Sequence, residues 1–166
     1  MADPGLPPPA ASTLAGGIDP LQARGRPRAQ RGGTRSPGGK WAASPARMRI
    51  LVVDDSKAMR SVVMRAVKGA GYADLTFDEA CNGAEALAAI RAAPPDLVLT
   101  DWNMPEMSGI EFLEALRAEG SPVRVAFVTS EQNPAILERA HRAGALFVVG
   151  KPFTADVLQA ALARAG

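Results

Sequence analysis

The chain has 166 residues, one cysteine and a net charge of +2, with a pI near 9.0. That length holds one medium domain and some further chain, and leaves little room for a two-domain enzyme. A single cysteine excludes an internal disulfide, a stapled secreted scaffold and a Cys-rich zinc module, and it fits a reducing, cytoplasmic compartment.

Charge and composition divide at Met48. Residues 1–47 carry seven basic groups against Asp3 and Asp19, a net +5, while the remaining chain is net −3. The same first segment holds 8 of the 14 prolines and 8 of the 16 glycines, among them Pro7-Pro8-Pro9 and the pairs Gly16-Gly17, Gly32-Gly33 and Gly38-Gly39. It offers too little apolar surface to offset the entropy of ordering and is expected to be a disordered tail. Its short apolar stretches are broken by proline, glycine and arginine, so neither a signal peptide nor a membrane span is supported. Because the basic charge belongs to this segment, the pI argues nothing about nucleic acid binding by the rest.

From Met48 onward short apolar runs alternate with helical patterns. The first strand is Ile50-Leu51-Val52-Val53; Ser56 then caps a helix with Met59, Val62, Val63, Ala66, Val67 and Ala70 at helical spacing, closed by Gly69 and Gly71. A weaker strand, Leu75-Thr76-Phe77, precedes a helix with Ala84, Leu87, Ala88 and Ile90 that must stop before Pro94-Pro95. Leu97-Val98-Leu99 is the third strand, followed by a helix with Ile110, Phe112, Leu113 and Leu116, ended by Gly120-Ser121-Pro122. The fourth strand is Val123 to Val128. Asn133 and Pro134 open the next helix as N-cap and first-turn proline, with Ile136, Leu137 and Ala140, and Gly144 ends it. Phe147-Val148-Val149 is the fifth strand, and Thr154 caps a last helix with Val157, Leu158, Ala161 and Leu162 facing inward.

Five apolar strands alternating with five helices imply a doubly wound parallel sheet covered on both faces, with right-handed crossovers. Ligands bind such sheets at the carboxyl ends of the strands. Four strands deliver reactive groups to that edge: Asp54-Asp55, Thr100-Asp101, Thr129-Ser130 and Gly150-Lys151-Pro152. In a 2-1-3-4-5 order the first and third strands are neighbours, and Asp54, Asp55 and Asp101 converge. Carboxylates 4 Å apart repel by roughly 4 kcal/mol per pair at an effective dielectric of 20, so a cation is expected among them. A hard divalent ion with oxygen ligands, Mg²⁺, answers that charge. With Lys151 and the Thr129 hydroxyl opposite, the constellation suits a carboxylate that accepts a phosphoryl group.

Taken singly, each residue has a plainer reading. Asp54 and Asp55 could cap a helix, Asp101 could be a turn residue, Thr129 a strand end and Lys151-Pro152-Phe153 a surface turn. Together those readings need four accidents at one edge. His141, with no second histidine or cysteine near it in sequence, is not expected to bind metal, and Cys81 is expected to be inert.

Val53-Asp54-Asp55-Ser56, Asp101-Trp102-Asn103-Met104-Pro105-Glu106-Met107-Ser108-Gly109, Val128-Thr129-Ser130-Glu131 and Lys151-Pro152-Phe153-Thr154 resemble the receiver domain of bacterial response regulators. They are especially similar to stand-alone, CheY-like chemotaxis receivers, over about Met48 to Gly166. The resemblance implies a flavodoxin-like (βα)5 fold with sheet order 2-1-3-4-5. It implies Asp101 as phosphoacceptor, Asp55 and Asp101 as direct Mg²⁺ ligands, Asp54 acting mainly through water, and the Asn103 backbone carbonyl completing the set. Thr129 and Lys151 would bind the phosphoryl group, and the Lys151-Pro152 bond would be cis. The donor would be a sensor histidine kinase, such as a chemotaxis kinase, or a small acyl phosphate. The domain would phosphorylate and dephosphorylate itself, without turning over a separate metabolite, and would signal by altered protein binding, the flagellar motor switch being one such target.

One departure bears on that target. The family usually carries Tyr or Phe three residues before the lysine, where this chain has Val148, with Phe147 one residue earlier. Adjacent strand residues face opposite ways, so coupling without an aromatic is expected ahead of the alternative, a local shift that lets Phe147 take that role. Asn103 and Glu131 match the chemotaxis pattern at positions that tune phosphoryl lifetime, and a short-lived phosphoform is expected. A phosphorelay intermediate or phosphate sink, passing the group to a histidine on another protein, stays open. So does a DNA-tethered receiver, through Arg24-Gly25-Arg26-Pro27-Arg28, which is similar to an AT-hook core that lies in the minor groove. Met48 opens a whole receiver pattern, so residues 1–47 can equally be sequence upstream of the true start.

Overall fold

The computed structural model describes residues 47–72 and 74–165; the expectations for the Pro/Gly/Arg-rich segment, including its disorder and its AT-hook-like core, lie outside the described residues. Five strands and five helices alternate: β1 (Met48–Val53), α1 (Lys57–Lys68), β2 (Leu75–Ala80), α2 (Gly83–Ala92), β3 (Leu97–Thr100), α3 (Gly109–Ala118), β4 (Arg124–Thr129), α4 (Pro134–Arg142), β5 (Val148–Gly150) and α5 (Ala155–Ala165). All four pairings are parallel and the strand order is β2-β1-β3-β4-β5, as expected.

The pleat sorts the strand residues into two cores. Leu51, Val53, Val98, Val125 and Phe127 point to one face and meet Leu87 and Ile90 of α2, Phe112 and Leu113 of α3, and Ala140 of α4. Ile50, Val52, Leu97, Leu99, Ala126 and Val128 point to the other and meet Val63 and Val67 of α1 and Leu158 and Leu162 of α5. Both faces of the central strands are therefore dry, which is why those strands read as unbroken apolar runs rather than as an alternation.

Helix starts follow local chemistry. The Ser56 hydroxyl accepts from the Met59 N–H, the Asn82 side chain from the Glu85 N–H at 2.8 Å, and the Asn133 side chain from the Ala135 N–H at 2.9 Å. Ser108 and Glu111 form a reciprocal capping box on α3. Gly120 and Gly144 take positive φ just beyond α3 and α4, a conformation free of strain only for glycine.

Three expectations need correction. Val157, expected to face inward, is 49% exposed, and the inward stripe of α5 is Leu158, Ala161 and Leu162. The stripe of α2 likewise falls on Gly83, Ala86, Leu87 and Ile90, leaving Ala84 and Ala88 exposed. β2 runs through Asp78 and Glu79 to Ala80 because, at the sheet edge, those carboxylates pair with Arg49 and Arg60 instead of facing a core.

Candidate phosphoacceptor site

The site lies at the carboxyl ends of the strands. Asp54 and Asp55 follow β1, Asp101 follows β3, Thr129 ends β4 and Lys151 follows β5. One carboxylate oxygen from each of Asp54, Asp55 and Asp101 falls within a group no wider than 4.8 Å. Asp54 and Asp101 are buried and Asp55 is exposed, so the cluster opens to solvent on the Asp55 side. Lys151 reaches in from β5: its Nζ donates to Asp54 Oδ2 at 2.6 Å and stands 3.2 Å from Asp101 Oδ2. One ammonium against three carboxylates leaves the pocket net negative.

The backbone holds these groups in place. The Asp101 N–H donates to the Val53 carbonyl at 2.8 Å, joining the two acidic loops. Asp101 Oδ1 accepts from the Trp102 N–H at 2.7 Å, and Asp54 Oδ1 accepts from the Ser56 N–H at 2.8 Å. Each of these two carboxylates thus has one oxygen fixed by a backbone amide and the other turned to Lys151. Trp102 is buried beside the acid, its ring 5.2 Å from that of Phe127.

Thr129 is fully buried, and its hydroxyl accepts from the Glu131 N–H at 3.2 Å. Its carbonyl accepts from the Lys151 N–H at 2.7 Å, which ties β4 to the lysine loop. The Lys151-Pro152 bond is cis, as expected. At the rim, the Asn103 side-chain amide donates to Glu131 Oε1 at 2.8 Å, spanning from the Asp101 loop to the Thr129 loop.

Val148 packs with Val125, Phe127 and Ala140, whereas Phe147 lies on the opposite face with the α1 and α5 side chains. The half-buried side chain on the α4 side of β5 is therefore aliphatic. His141 is exposed near the end of α4, outside the acidic group. The Glu85 carboxylate beside Cys81 pushes its thiol above the ordinary range, which disfavours the reactive thiolate.

Two glycines shape the acceptor loop in ways that the sequence pattern does not single out. A Cβ at Gly109 would stand 2.0 Å from the Asp101 carbonyl oxygen, so α3 starts directly against the acid's own backbone. A Cβ at Gly83 would meet Met107 Cγ at 2.7 Å and the Met107 carbonyl oxygen at 2.9 Å, and the Gly83 N–H donates to that carbonyl at 3.1 Å. Asn82 is a further such residue; its amide donates to Glu106 Oε2 at 3.2 Å and fastens the same loop to the start of α2. A glycine eight residues after the acid, at the first position of an apolar helical stripe, is the available signal for Gly109.

A lysine and three carboxylates thus gather at the carboxyl edge of a five-stranded 2-1-3-4-5 sheet, and comparison with known proteins gives the family. The response regulator receiver domain family matches residues 50–163. The chain belongs to that family, whose members are phospho-accepting signalling domains. Its similarity runs to chemotaxis receivers: it is 36% identical over 115 residues to the chemotaxis protein CheY1 of Helicobacter pylori, covering 68% of this chain and 91% of that one. It is 38% identical over 114 residues to the chemotaxis protein CheY of Pseudomonas aeruginosa, covering 68% and 90%. Among solved structures, CheY4 of Vibrio cholerae superposes with a TM-score of 0.64 at 32% identity, over 73% of this chain and all of that one.

Proposed function

We propose that the protein is a chemotaxis-type response regulator receiver that accepts a phosphoryl group from a histidine kinase on Asp101 and signals by altered binding to another protein. The observation that carries this reading is Lys151 Nζ held between Asp54 Oδ2 and Asp101 Oδ2 inside a three-carboxylate cluster. The donor set fits a magnesium ion: hard oxygen ligands, excess negative charge and an open side where water can remain. Asp55 and Asp101 would hold the ion directly, the Asn103 carbonyl would complete the protein ligands, and Asp54 would act through water. When bound, it supplies charge neutralisation at the transferring phosphoryl oxygens.

The residues themselves do the rest. The hydrogen bond that Oδ1 accepts from the Trp102 N–H fixes the Asp101 carboxylate, so that its other oxygen can form the new P–O bond as the donor's P–N bond breaks. Lys151 is already in place to take up a phosphoryl oxygen, exchanging an aspartate contact for it. The added charge of about −1.5 to −2 gives the Thr129 hydroxyl a new acceptor, which draws its loop inward and repositions α4 and β5. With Val148 in place of an aromatic, that coupling runs through aliphatic packing, which leaves a flagellar switch among several candidate partners. Asn103 and Glu131 support a short-lived phosphoform; one persisting for many hours overturns that part.

None of the described helices is long and apolar enough to cross a membrane. We place the protein in the cytoplasm, where its kinase would act, with the receiver spanning residues 48–166. The test is Trp102 fluorescence in the Trp41→Phe protein on adding Mg²⁺ and then a small acyl phosphate. A response to each, with phosphoryl incorporation lost in Asp101→Asn, is expected; no response and no incorporation overturns the reading. Phosphotransfer assays against histidine phosphotransfer proteins separate effector from relay.

A further inference from the structure

The Asp55 carboxylate differs from its two neighbours in how it is held. Asp54 and Asp101 each accept a backbone amide and face Lys151. Asp55 is exposed, and among the described residues no side-chain hydrogen bond or ion pair fixes it. Its direction is therefore set by the two peptide planes that flank it. The following plane is held by the Ser56 N–H, which donates to Asp54 Oδ1 at 2.8 Å. The preceding plane, between Asp54 and Asp55, is held by its carbonyl oxygen, and the donor there is Arg60.

Arg60 lies on the inward stripe of α1, one turn below Val63, and its side chain is only 13% exposed. Its guanidinium forks. Nη1 donates to the Asp54 carbonyl at 2.7 Å, and Nε donates to Glu79 Oε2 at 2.6 Å on β2. Glu79 adjoins Ala80, whose carbonyl accepts the Asp54 N–H at 3.2 Å. The edge strand thus grips Asp54 through its N–H directly and through its carbonyl by way of Arg60. A half-buried, charge-assisted fork of this kind fixes orientation as well as distance.

We infer that Arg60 is a positioning residue for the metal site: through the Asp54–Asp55 peptide it aims the Asp55 carboxylate at the ion. This rests on the magnesium reading above. The inference has a sign that a purely electrostatic role lacks. A guanidinium beside an acidic pocket repels a divalent cation, so removing its charge alone would tighten Mg²⁺ binding. Removing a brace weakens it, by about 10-fold or more where an outer-shell partner orients a metal ligand. Lysine keeps the charge but cannot bond to Glu79 and to the carbonyl in the same fork.

Mg²⁺ titration of Trp102 fluorescence in the full chain, with Trp41→Phe, tests this in Arg60→Gln, Arg60→Lys and Glu79→Gln. The expected result is an Mg²⁺ Kd raised about 10-fold or more in both Arg60 variants and raised less in Glu79→Gln. In the metal-free protein the Asp55 and Ser56 amides should exchange hydrogen faster in the Arg60 variants, with the amides of β3 and β4 unchanged. A wild-type protein that gives no Mg²⁺ response overturns the magnesium reading itself. A wild-type response that Arg60→Lys leaves unchanged, or that Arg60→Gln tightens, overturns the positioning role alone. If Arg60→Gln does not fold, Arg60→Lys and Glu79→Gln decide, and an unchanged Kd in both overturns it.

Discussion

Two of the pocket's acids, Asp54 and Asp101, are held at backbone and side chain alike, whereas the loop after β4 and the helix α4 are lightly held. Asp54 is bonded at its N–H, its carbonyl and both carboxylate oxygens, and Asp101 at its N–H and both carboxylate oxygens. The Thr129 hydroxyl, by contrast, accepts one bond from within its own loop. The helix that follows buries Ala140 alone, with Ile136 packed only partly against the core, and is tied to α3 at the surface by a two-bonded Arg139–Glu114 pair. Preorganised carboxylates give the chemistry its geometry before a donor arrives. A helix with few buried contacts can shift at small cost when the phosphoryl group appears. On the proposed function, the receiving half and the responding half have opposite mechanical requirements, and the packing divides along that line.

The largest effect expected on the braced half comes from Asp101→Asn. The amide is nearly the same shape but is not a nucleophile, and phosphoryl incorporation from a small acyl phosphate should fall to background while the folding transition stays cooperative. Gly109→Ala comes next. Its methyl group must displace either the Asp101 carbonyl or the start of α3, since 2.0 Å is far inside any permitted contact. Overpacking of this kind costs about 1–3 kcal/mol. Urea denaturation should show that loss, and Mg²⁺ affinity should fall with it because the acid moves. A Gly109→Ala protein as stable as wild type with unaltered Mg²⁺ binding would show that the brace is softer than the packing implies.

What the sequence made legible was whatever is encoded within a few residues. Apolar runs marked the strands, and Ser56, Asn133 and Thr154 marked helix starts through their own side chains. Convergence of Asp54, Asp55 and Asp101 followed from strand order alone. The misplaced features each depend on a distant partner. Glu79 extends β2 because Arg60, far along the chain, neutralises it. Val157 is apolar yet exposed because α5 is rotated to present Leu158 and Leu162 to α1 and β5, and both rotations fit the period of its residues. Gly83 and Gly109 are needed by Met107 and by the Asp101 backbone, contacts no periodicity reveals. Arg60 did carry a trace, a charge on an otherwise apolar stripe, since it sits on the same face as Val63 and Val67.

The acidic limb of stability should also divide between the halves. The Ser108 hydroxyl and N–H that bind its carboxylate hold the Glu111 carboxyl below its usual range, at the start of α3. A carboxyl depressed in the folded state stabilises above its unfolded value, and that contribution disappears as pH falls through the folded value. Glu111→Gln should therefore flatten the acid side of a stability-against-pH curve and leave the neutral side nearly parallel to wild type. If the two curves stay parallel down to the acid limb, the capping box is not coupled to folding.

The smallest effect is expected on the responding half, from Asn133→Ala. Asn133 accepts the Ala135 N–H at 2.9 Å and precedes a first-turn proline, so its side chain is the cap on an otherwise thinly anchored α4. Losing an N-cap costs about 1 kcal/mol, close to the modest gain that one buried alanine and a few half-buried neighbours give the helix. The loss should therefore appear locally rather than globally. Amide exchange in α4 should accelerate, while the exchange of β1 and β3 and the Mg²⁺ titration midpoint stay where they are. If the two halves were one cooperative block, the same substitution would raise exchange in β1 and β3 as much as in α4. Faster exchange confined to α4 would place the boundary between receiving and responding structure within the few residues that separate Thr129 from Pro134.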